Sequence, residues 1–230
     1  MQQAAGNGTM LSLRDVRIVR GERTVLSVEK LDLAAGIHVL EGPNGAGKST
    51  VLLAAAGLVD LAAGQVLLDG TVLHDGMAPA PVERRRRIAL VFQDPYLMSG
   101  TVREAVEIGL KIRRVGSQER RTRVDPLLER LGLKHLASKR STKLSGGERR
   151  KVALAQALVL DSQVLLLDEV TVNLDEASKQ TLIDILRERA GGGHQVIVIA
   201  SHDSELAHRL DARVHRLAGG RVLDDGVRRP

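Results

Sequence analysis

Apolar residues change their spacing twice along this chain, and the two changes divide it into three regions. From Leu11 to Leu40 they come in short stretches broken at Gly21 and at Ala34–Gly36, which predicts strands separated by turns. Ile37–Glu41 reads as a compact strand ending at a glycine, and the Leu- and Ala-rich residues 50–59 read as a helix. Gln65–Leu68 and Thr71–Leu73 flank Asp69–Gly70, a two-residue hairpin signal. Met77–Pro81 reads as a loop, Arg84–Arg87 as a basic run and Ile88–Phe92 as a buried strand.

Helical spacing takes over from residue 94 to about residue 158. Thr101-Val-Arg-Glu104 has the form of a capping box and opens a stripe of Val102, Ala105, Val106 and Leu110. Val124, Leu127, Leu128 and Leu131 repeat the pattern. Asp125-Pro126 inside that stripe leaves two readings, a new helix capped by Asp125 or a kink. Val152–Leu160 is a further helix. Val164–Leu167 and Val196–Ala200 are then continuous apolar runs of strand length, with a helix at Ala177–Arg189 between them. Such runs mark strands buried on both faces of a parallel sheet.

Composition narrows the class. At 230 residues, 43% hydrophobic and 27% charged, the chain suits one large α/β domain, or a core with a small subdomain, and not a disordered protein. No apolar run approaches the ~20 residues that span a bilayer. The opening MQQAAGNGTM lacks the basic and apolar regions of a secretory signal, and there is no cysteine for disulfides or zinc, so a cytoplasmic location is expected. The net charge of +6 suits nucleic acid, an anionic membrane surface or a polyanionic ligand. Phe92 and Tyr96 are the only aromatic residues besides histidine, so nothing offers a stacking platform and nucleic acid is not an expected partner. His38, His74, His135, His194, His208 and His215 show no metal-like spacing and are expected at the surface.

Gly42-Pro43-Asn44-Gly45-Ala46-Gly47-Lys48-Ser49-Thr50 contains GxxxxGK[ST] between a strand and a helix. That context gives the motif its meaning. The glycines let the backbone curl around an anion, and consecutive N–H groups then point inward at a helix N-terminus. Lys48 is placed to reach the β- and γ-phosphates, and the Ser49 hydroxyl to ligate Mg²⁺. Val164-Leu-Leu-Leu-Asp168-Glu169 is the companion: Asp168 can hold the Mg²⁺ shell, and Glu169 can polarise a water for in-line attack. His202 closes another apolar strand, at the sheet edge where ligands bind in such folds.

Leu144-Ser145-Gly146-Gly147-Glu148 resembles the signature of the ATP-binding-cassette (ABC) ATPases, and it is locally also a capping box. Gln93 in Val91-Phe-Gln-Asp-Pro95 is similar to that family's Q-loop, Asn173-Leu174-Asp175 to its D-loop and His202 to its H-loop. The likeness runs from about Leu11 to Gly226. It implies a P-loop NTPase (RecA-like) α/β core with an N-terminal antiparallel β subdomain, over 11–93 and 160–226, and an inserted α-helical signature subdomain over 94–159.

By resemblance ATP and Mg²⁺ are the cofactors. Gln93 senses the metal and the nucleotide state, and Asp175 aligns the opposite site. Ser145, Gly146 and Gly147 bind the γ-phosphate of ATP held by a second copy packed head-to-tail. The other implied partners are membrane permease subunits and a solute-binding protein, which would hold the chain at the inner face of the membrane.

Two positions depart from the family. Val19–Arg20 stands where an adenine-stacking ring is usual, so Arg20 would lie on the base. Val170 replaces the proline that commonly follows the catalytic Glu. Tyr96-Leu-Met98 would either meet a permease helix or fill core. The Gly100–Arg114 segment is similar to importer cassettes, including those for oxyanions such as tungstate and molybdate. A lipid or drug exporter, a soluble ABC protein acting on ribosomes or DNA, and a regulatory cassette without catalysis are the competing classes.

Overall fold

A computed structural model describes residues 8–76, 81–172 and 174–228. The predicted loop at Met77–Pro81 lies outside them except for Pro81, and so does Asn173 of the D-loop-like stretch. The chain divides into two compact units. One holds residues 1–90, 163–168 and 186–230, the other residues 91–162 and 169–185.

The first unit contains a four-stranded antiparallel sheet, in which β1 (Met10–Arg20) lies between β2 (Arg23–Ala34) and β4 (Ala63–Leu68), with β5 (Thr71–His74) on the outer side of β4. The predicted turns are correct, but the strands between them are long, because β1 and β2 pair along almost their whole length. Asp69 and Gly70 both adopt positive φ, 53° and 73°, as a tight hairpin turn between β4 and β5 requires.

A six-stranded sheet follows the order β10 (Arg221–Arg228), β9 (Arg213–Ala218), β3 (Gly36–Glu41), β8 (Val196–Ala200), β7 (Val164–Asp168), β6 (Ile88–Val91). Strands β9, β3, β8 and β7 run parallel. Helix α1 (Lys48–Ala55) packs Val51, Leu52, Ala54 and Ala55 into the core of this unit, against β2, β7 and β8. The other helices here are α2 (Val82–Arg85) and α7 (Ser204–Arg209).

Three histidines correct the expectation of surface placement. His38, His74 and His215 are buried, because β3, β5 and β9 bury positions that composition alone assigns to solvent. The imidazoles survive there by hydrogen bonding. His74 Nε2 lies 2.8 Å from the Val59 carbonyl. His38 Nε2 lies 2.7 Å from the Ala34 carbonyl, which only accepts, so His38 donates through Nε2. Its Nδ1 then accepts from His215 Nε2 at 2.9 Å. Burial pushes the His38 pKa from 6.5 down to about 4.

The second unit is mainly helical. Its helices are α3 (Val102–Ile112), α4 (Ser117–Arg130), α5 (Gly146–Leu158) and α6 (Glu176–Gly191), the last of which continues into the first unit. Both capping boxes form, Thr101 with Glu104 on α3 and Ser145 with Glu148 on α5. Helix α3 packs on α4 and α5, and the three helices bury Val102, Val106 and Leu110, Val124 and Leu128, and Leu154 and Leu158. The Asp125-Pro126 ambiguity resolves as one helix with Pro126 inside it. Pro126 has no N–H to donate to the Thr122 carbonyl, and both residues are exposed. Glu107 is buried and faces Arg120 at 3.2 Å, Lys111 at 3.7 Å and Arg103 at 3.8 Å.

Candidate functional site

Parallel register sets the site in the first unit. Leu40, Ala200 and Asp168 stand opposite one another on β3, β8 and β7. The residues that follow the first two strands, Gly42-Pro43 and Ser201-His202, therefore leave the sheet at the same edge as Asp168. In parallel α/β sheets this carboxyl edge receives ligands.

Gly42, Pro43, Asn44, Gly45, Ala46 and Gly47 curl between β3 and α1. A Cβ on Gly42 would lie 2.2 Å from the Leu217 carbonyl oxygen, so only glycine fits. Gly47, at φ 102°, is the N-cap of α1 and supplies no side-chain cap. The first N–H groups of that helix are thus left to an external acceptor. The Ala46 carbonyl accepts from Gly220 N–H at 3.0 Å, which anchors the loop. Pro43, Asn44 and Gly45 are exposed, and Thr50 lies half-buried in the first turn of α1.

Lys48 is buried and its ammonium donates to the Gly42 and Pro43 carbonyls at 2.6 and 3.2 Å, curled across the loop it belongs to. Ser49 Oγ donates to Asp168 Oδ1 at 3.1 Å. A hydroxyl and a carboxylate this close form a hard-oxygen pair, the donor chemistry that suits Mg²⁺. His202 is exposed just past β8. The adjoining turn is fixed by Asp203, whose carboxylate caps α7 by accepting from Glu205 and Leu206 N–H groups.

Arg20 ends β1, exposed, opposite Arg23 in the hairpin. The strand leading back from that hairpin touches the phosphate loop, since a Cβ on Gly47 would stand 3.4 Å from Leu26 Cδ1.

The second unit holds the remaining predicted residues. Ser145 precedes α5, with Oγ accepting from Glu148 N–H at 3.2 Å and its own N–H donating to Glu148 Oε2 at 2.8 Å. That backbone bond holds the Glu148 carboxyl below its usual range. Gly146 and Gly147 form the first turn of α5. Glu169 is buried with φ 48°, a left-handed conformation that costs a non-glycine residue about 1–2 kcal/mol. Asp175 caps α6 by accepting from Ser178 N–H and Oγ–H, both at 2.8 Å, and these bonds hold its carboxyl below the usual range. Gln93 is exposed.

One residue went unnoticed in the sequence. Arg150 donates to the Gln93 carbonyl at 3.3 Å and to the Val172 carbonyl at 3.0 Å, with Asp94 at 3.9 Å. It ties the Q-loop-like segment to the stretch after Glu169. Its signal was its place in Arg149-Arg150-Lys151 on the signature helix, indistinguishable there from a solvated charge run. The core-filling reading of Tyr96 is overturned, since the residue is 88% exposed, with Met98 and Phe92 exposed beside it in the chain.

A phosphate loop opening a helix, with a hydroxyl–carboxylate pair at the carboxyl edge of a parallel sheet, defines a P-loop nucleotide-binding protein. The ABC transporter family model matches residues 30–172, and the chain belongs to that family, whose ATP-binding subunits are ATPases coupled to transport. The chain is 38% identical to the mycobactin import ATP-binding/permease protein IrtB of Mycolicibacterium thermoresistibile over 233 residues, covering 96% of this chain and 38% of the relative. It is 38% identical over 203 residues to the lipoprotein-releasing system ATP-binding protein LolD of Pseudomonas syringae pv. tomato, covering 87% of this chain and 89% of LolD. The solved structure of cbiO1 from Clostridium perfringens, part of the ABC transporter complex cbiONQ, superposes with a TM-score of 0.79 at 30% identity over 94% of this chain and 87% of that one. The chain thus spans well under half of IrtB and most of LolD. No helix among the described residues is long and apolar enough to cross a membrane.

Proposed function

We propose that this chain is the nucleotide-binding subunit of an ABC importer, and that two copies hydrolyse ATP as a head-to-tail pair. The observation that carries the reading is the shared edge of β3, β8 and β7, with the Ser49–Asp168 oxygen pair lying there. In this reading Lys48 exchanges the Gly42 and Pro43 carbonyls for the β- and γ-phosphates of ATP. Backbone N–H groups from Gly45 to Ser49, with the Thr50 turn behind them, hold the same phosphates. Ser49, Asp168 and Gln93 would hold Mg²⁺, which supplies charge neutralisation when bound. Glu169 accepts a hydrogen bond from the attacking water and orients it, and His202 contacts the γ-phosphate.

Ser145, Gly146 and Gly147 serve the ATP of the other copy, because the N-terminus of α5 is a second anion site carried on a different unit of the chain. Asp175 aligns the opposite site, and Arg20 lies on the adenine. Residues 94–159 act as the signature subdomain, and 11–93 with 160–226 as the core. Permease subunits and a solute-binding protein complete the complex at the inner membrane face. Import is read from the likeness of Gly100–Arg114 to importer cassettes. An oxyanion cargo is tested by binding tungstate or molybdate to the companion solute-binding protein.

Glu169→Gln tests the catalytic assignment. The variant should bind ATP with unchanged affinity and lose hydrolysis by at least about a hundredfold, trapping an ATP-bound dimer. Hydrolysis within twofold of the parent protein would remove Glu169 from its role.

A further inference from the structure

The helical unit contains a cavity of about 200 Å³ away from its signature turn, between the end of α4, the middle of α5 and the start of α6. Leu131, Leu154 and Leu174 supply an apolar wall, and Lys151, Ser178 and Thr181 supply polar groups. The polar side is unevenly satisfied. Thr181 Oγ donates to the Ala177 carbonyl and Ser178 Oγ to Asp175. Glu129, at the rim, is held by Lys134 at 3.0 Å.

Lys151 differs. Its side chain is three-quarters buried, and its nearest acidic partner, Asp175, stands 3.6 Å away, beyond hydrogen-bond reach. Asp175 comes no closer because its carboxylate is pinned by the cap of α6, with both oxygens on Ser178. An ammonium carries three donors, and this one meets no acceptor within hydrogen-bond distance among the described residues. An ammonium that is three-quarters buried, paired with Asp175 at 3.6 Å and still open to solvent, beside a leucine wall, offers a cationic and an apolar surface together, complementary to an anion with a short apolar tail.

We propose that this cavity is a binding site for a short-chain aliphatic carboxylate, with its carboxylate on Lys151 and its chain against Leu131, Leu154 and Leu174. Size sets the chain length. The cavity falls below the roughly 300–1,000 Å³ of drug-sized sites, so the occupant has only a few carbons. Binding draws Lys151 from Asp175 and so reaches the segment that leads into α6. The site touches the nucleotide reading above only through Asp175, and its first test needs no nucleotide.

Binding is measured on the whole protein by calorimetry and by ¹⁵N–¹H chemical shifts, with sodium butyrate, hexanoate and hexylammonium chloride as probes. Hexanoate should bind saturably in the millimolar range, shifting amides around 129–132 and 174–181. Two fewer methylenes should weaken butyrate about tenfold, and hexylammonium should not bind. Lys151→Met should lose at least tenfold in hexanoate affinity. Thr181→Leu, which fills the cavity and leaves the ammonium, should lose binding too. If Lys151→Met fails to fold, judged by its melting transition, Thr181→Leu alone decides. Absent saturation, equal binding of hexylammonium, or hexanoate affinity unchanged in Thr181→Leu would each overturn the proposal. Loss of ATP hydrolysis in an otherwise hexanoate-binding protein would count against the function proposed above and not against this site.

Discussion

Helices α1 and α5 both begin with a glycine-rich turn, and they begin in opposite ways. The first residue pairs of α1 are left uncapped. Gly47 contributes no side chain, no acidic residue lies in the first turn, and the loop is held from outside by Gly220. Helix α5 caps itself, because Ser145 and Glu148 satisfy each other's backbone N–H groups. The contrast teaches how each terminus meets an anion. In the proposed reading the α1 terminus is the receptor, where Lys48 exchanges its bonds to the Gly42 and Pro43 carbonyls for phosphate. The α5 terminus is stable without any ligand and presents Gly146 and Gly147 ready-made. In the proposed reading this self-capped turn is the surface offered to the ATP of the second copy.

Removing the α1 cation should give the largest effect. Lys48→Ala deletes a charge-assisted contact and should weaken ATP binding by about 10- to 150-fold, read by fluorescent-nucleotide titration, with the melting temperature little changed. An affinity loss below threefold would mean that the loop binds phosphate without its lysine.

Acid should then separate the two units. His38 lies on β3, the strand that feeds the phosphate loop, and its pKa is depressed by burial to about 4. As pH falls below 6.5 the unfolded chain takes up a proton that the folded state refuses. Stability is therefore full above 6.5, declines through the window down to about 4, and levels off below it, by up to about 3 kcal/mol. Hydrogen exchange between pH 7 and 5 should accelerate in β3 and α1 and leave α5 protected, and His38→Gln should flatten the slope. Uniform acceleration in both units would break this part of the comparison.

The smallest effect on stability carries the sharpest test of the signature turn. Aspartate caps helices as well as serine does, so Ser145→Asp and Thr101→Asp should each change stability by under about 0.5 kcal/mol. Thr101→Asp should keep its ATPase rate. Ser145→Asp should lose at least tenfold if the turn serves phosphate as proposed, because the new carboxylate would repel it. Equal activities would make Ser145 a cap and nothing more.

Much of this was legible in the sequence, and the reasons differ by region. Strands β7 and β8 showed as continuous apolar runs because both of their faces are covered, and β3 and β6 showed as shorter apolar strands, whereas β9 and β10 were not legible because charged residues interrupt them. The Asp69–Gly70 turn and both capping boxes showed because each is a local bond between residues at most three apart. The buried histidines were not legible. His38 sits between Ile37 and Val39, and its stability depends on His215, far away in sequence. Pro126 within α4 was left open because Asp125-Pro126 reads locally as well as a helix start as a helix interior. Arg150 was hidden because its acceptors are main-chain carbonyls on two distant segments. The grouping of residues 169–185 with the helical unit likewise follows from packing, and the same packing makes the Lys151 cavity.

The central claim is that the two anion-binding termini act on one ATP from two copies. It is tested most directly by mixing Lys48→Ala subunits with Ser145→Asp subunits and measuring ATPase activity across the mixing ratio. A mixed pair has one site damaged in both halves and one site with an intact α1 and an intact α5. Activity should rise to a maximum near equal proportions, well above either variant alone. A straight line between the two single-variant activities would contradict the claim, because each copy would then be using its own signature turn or none.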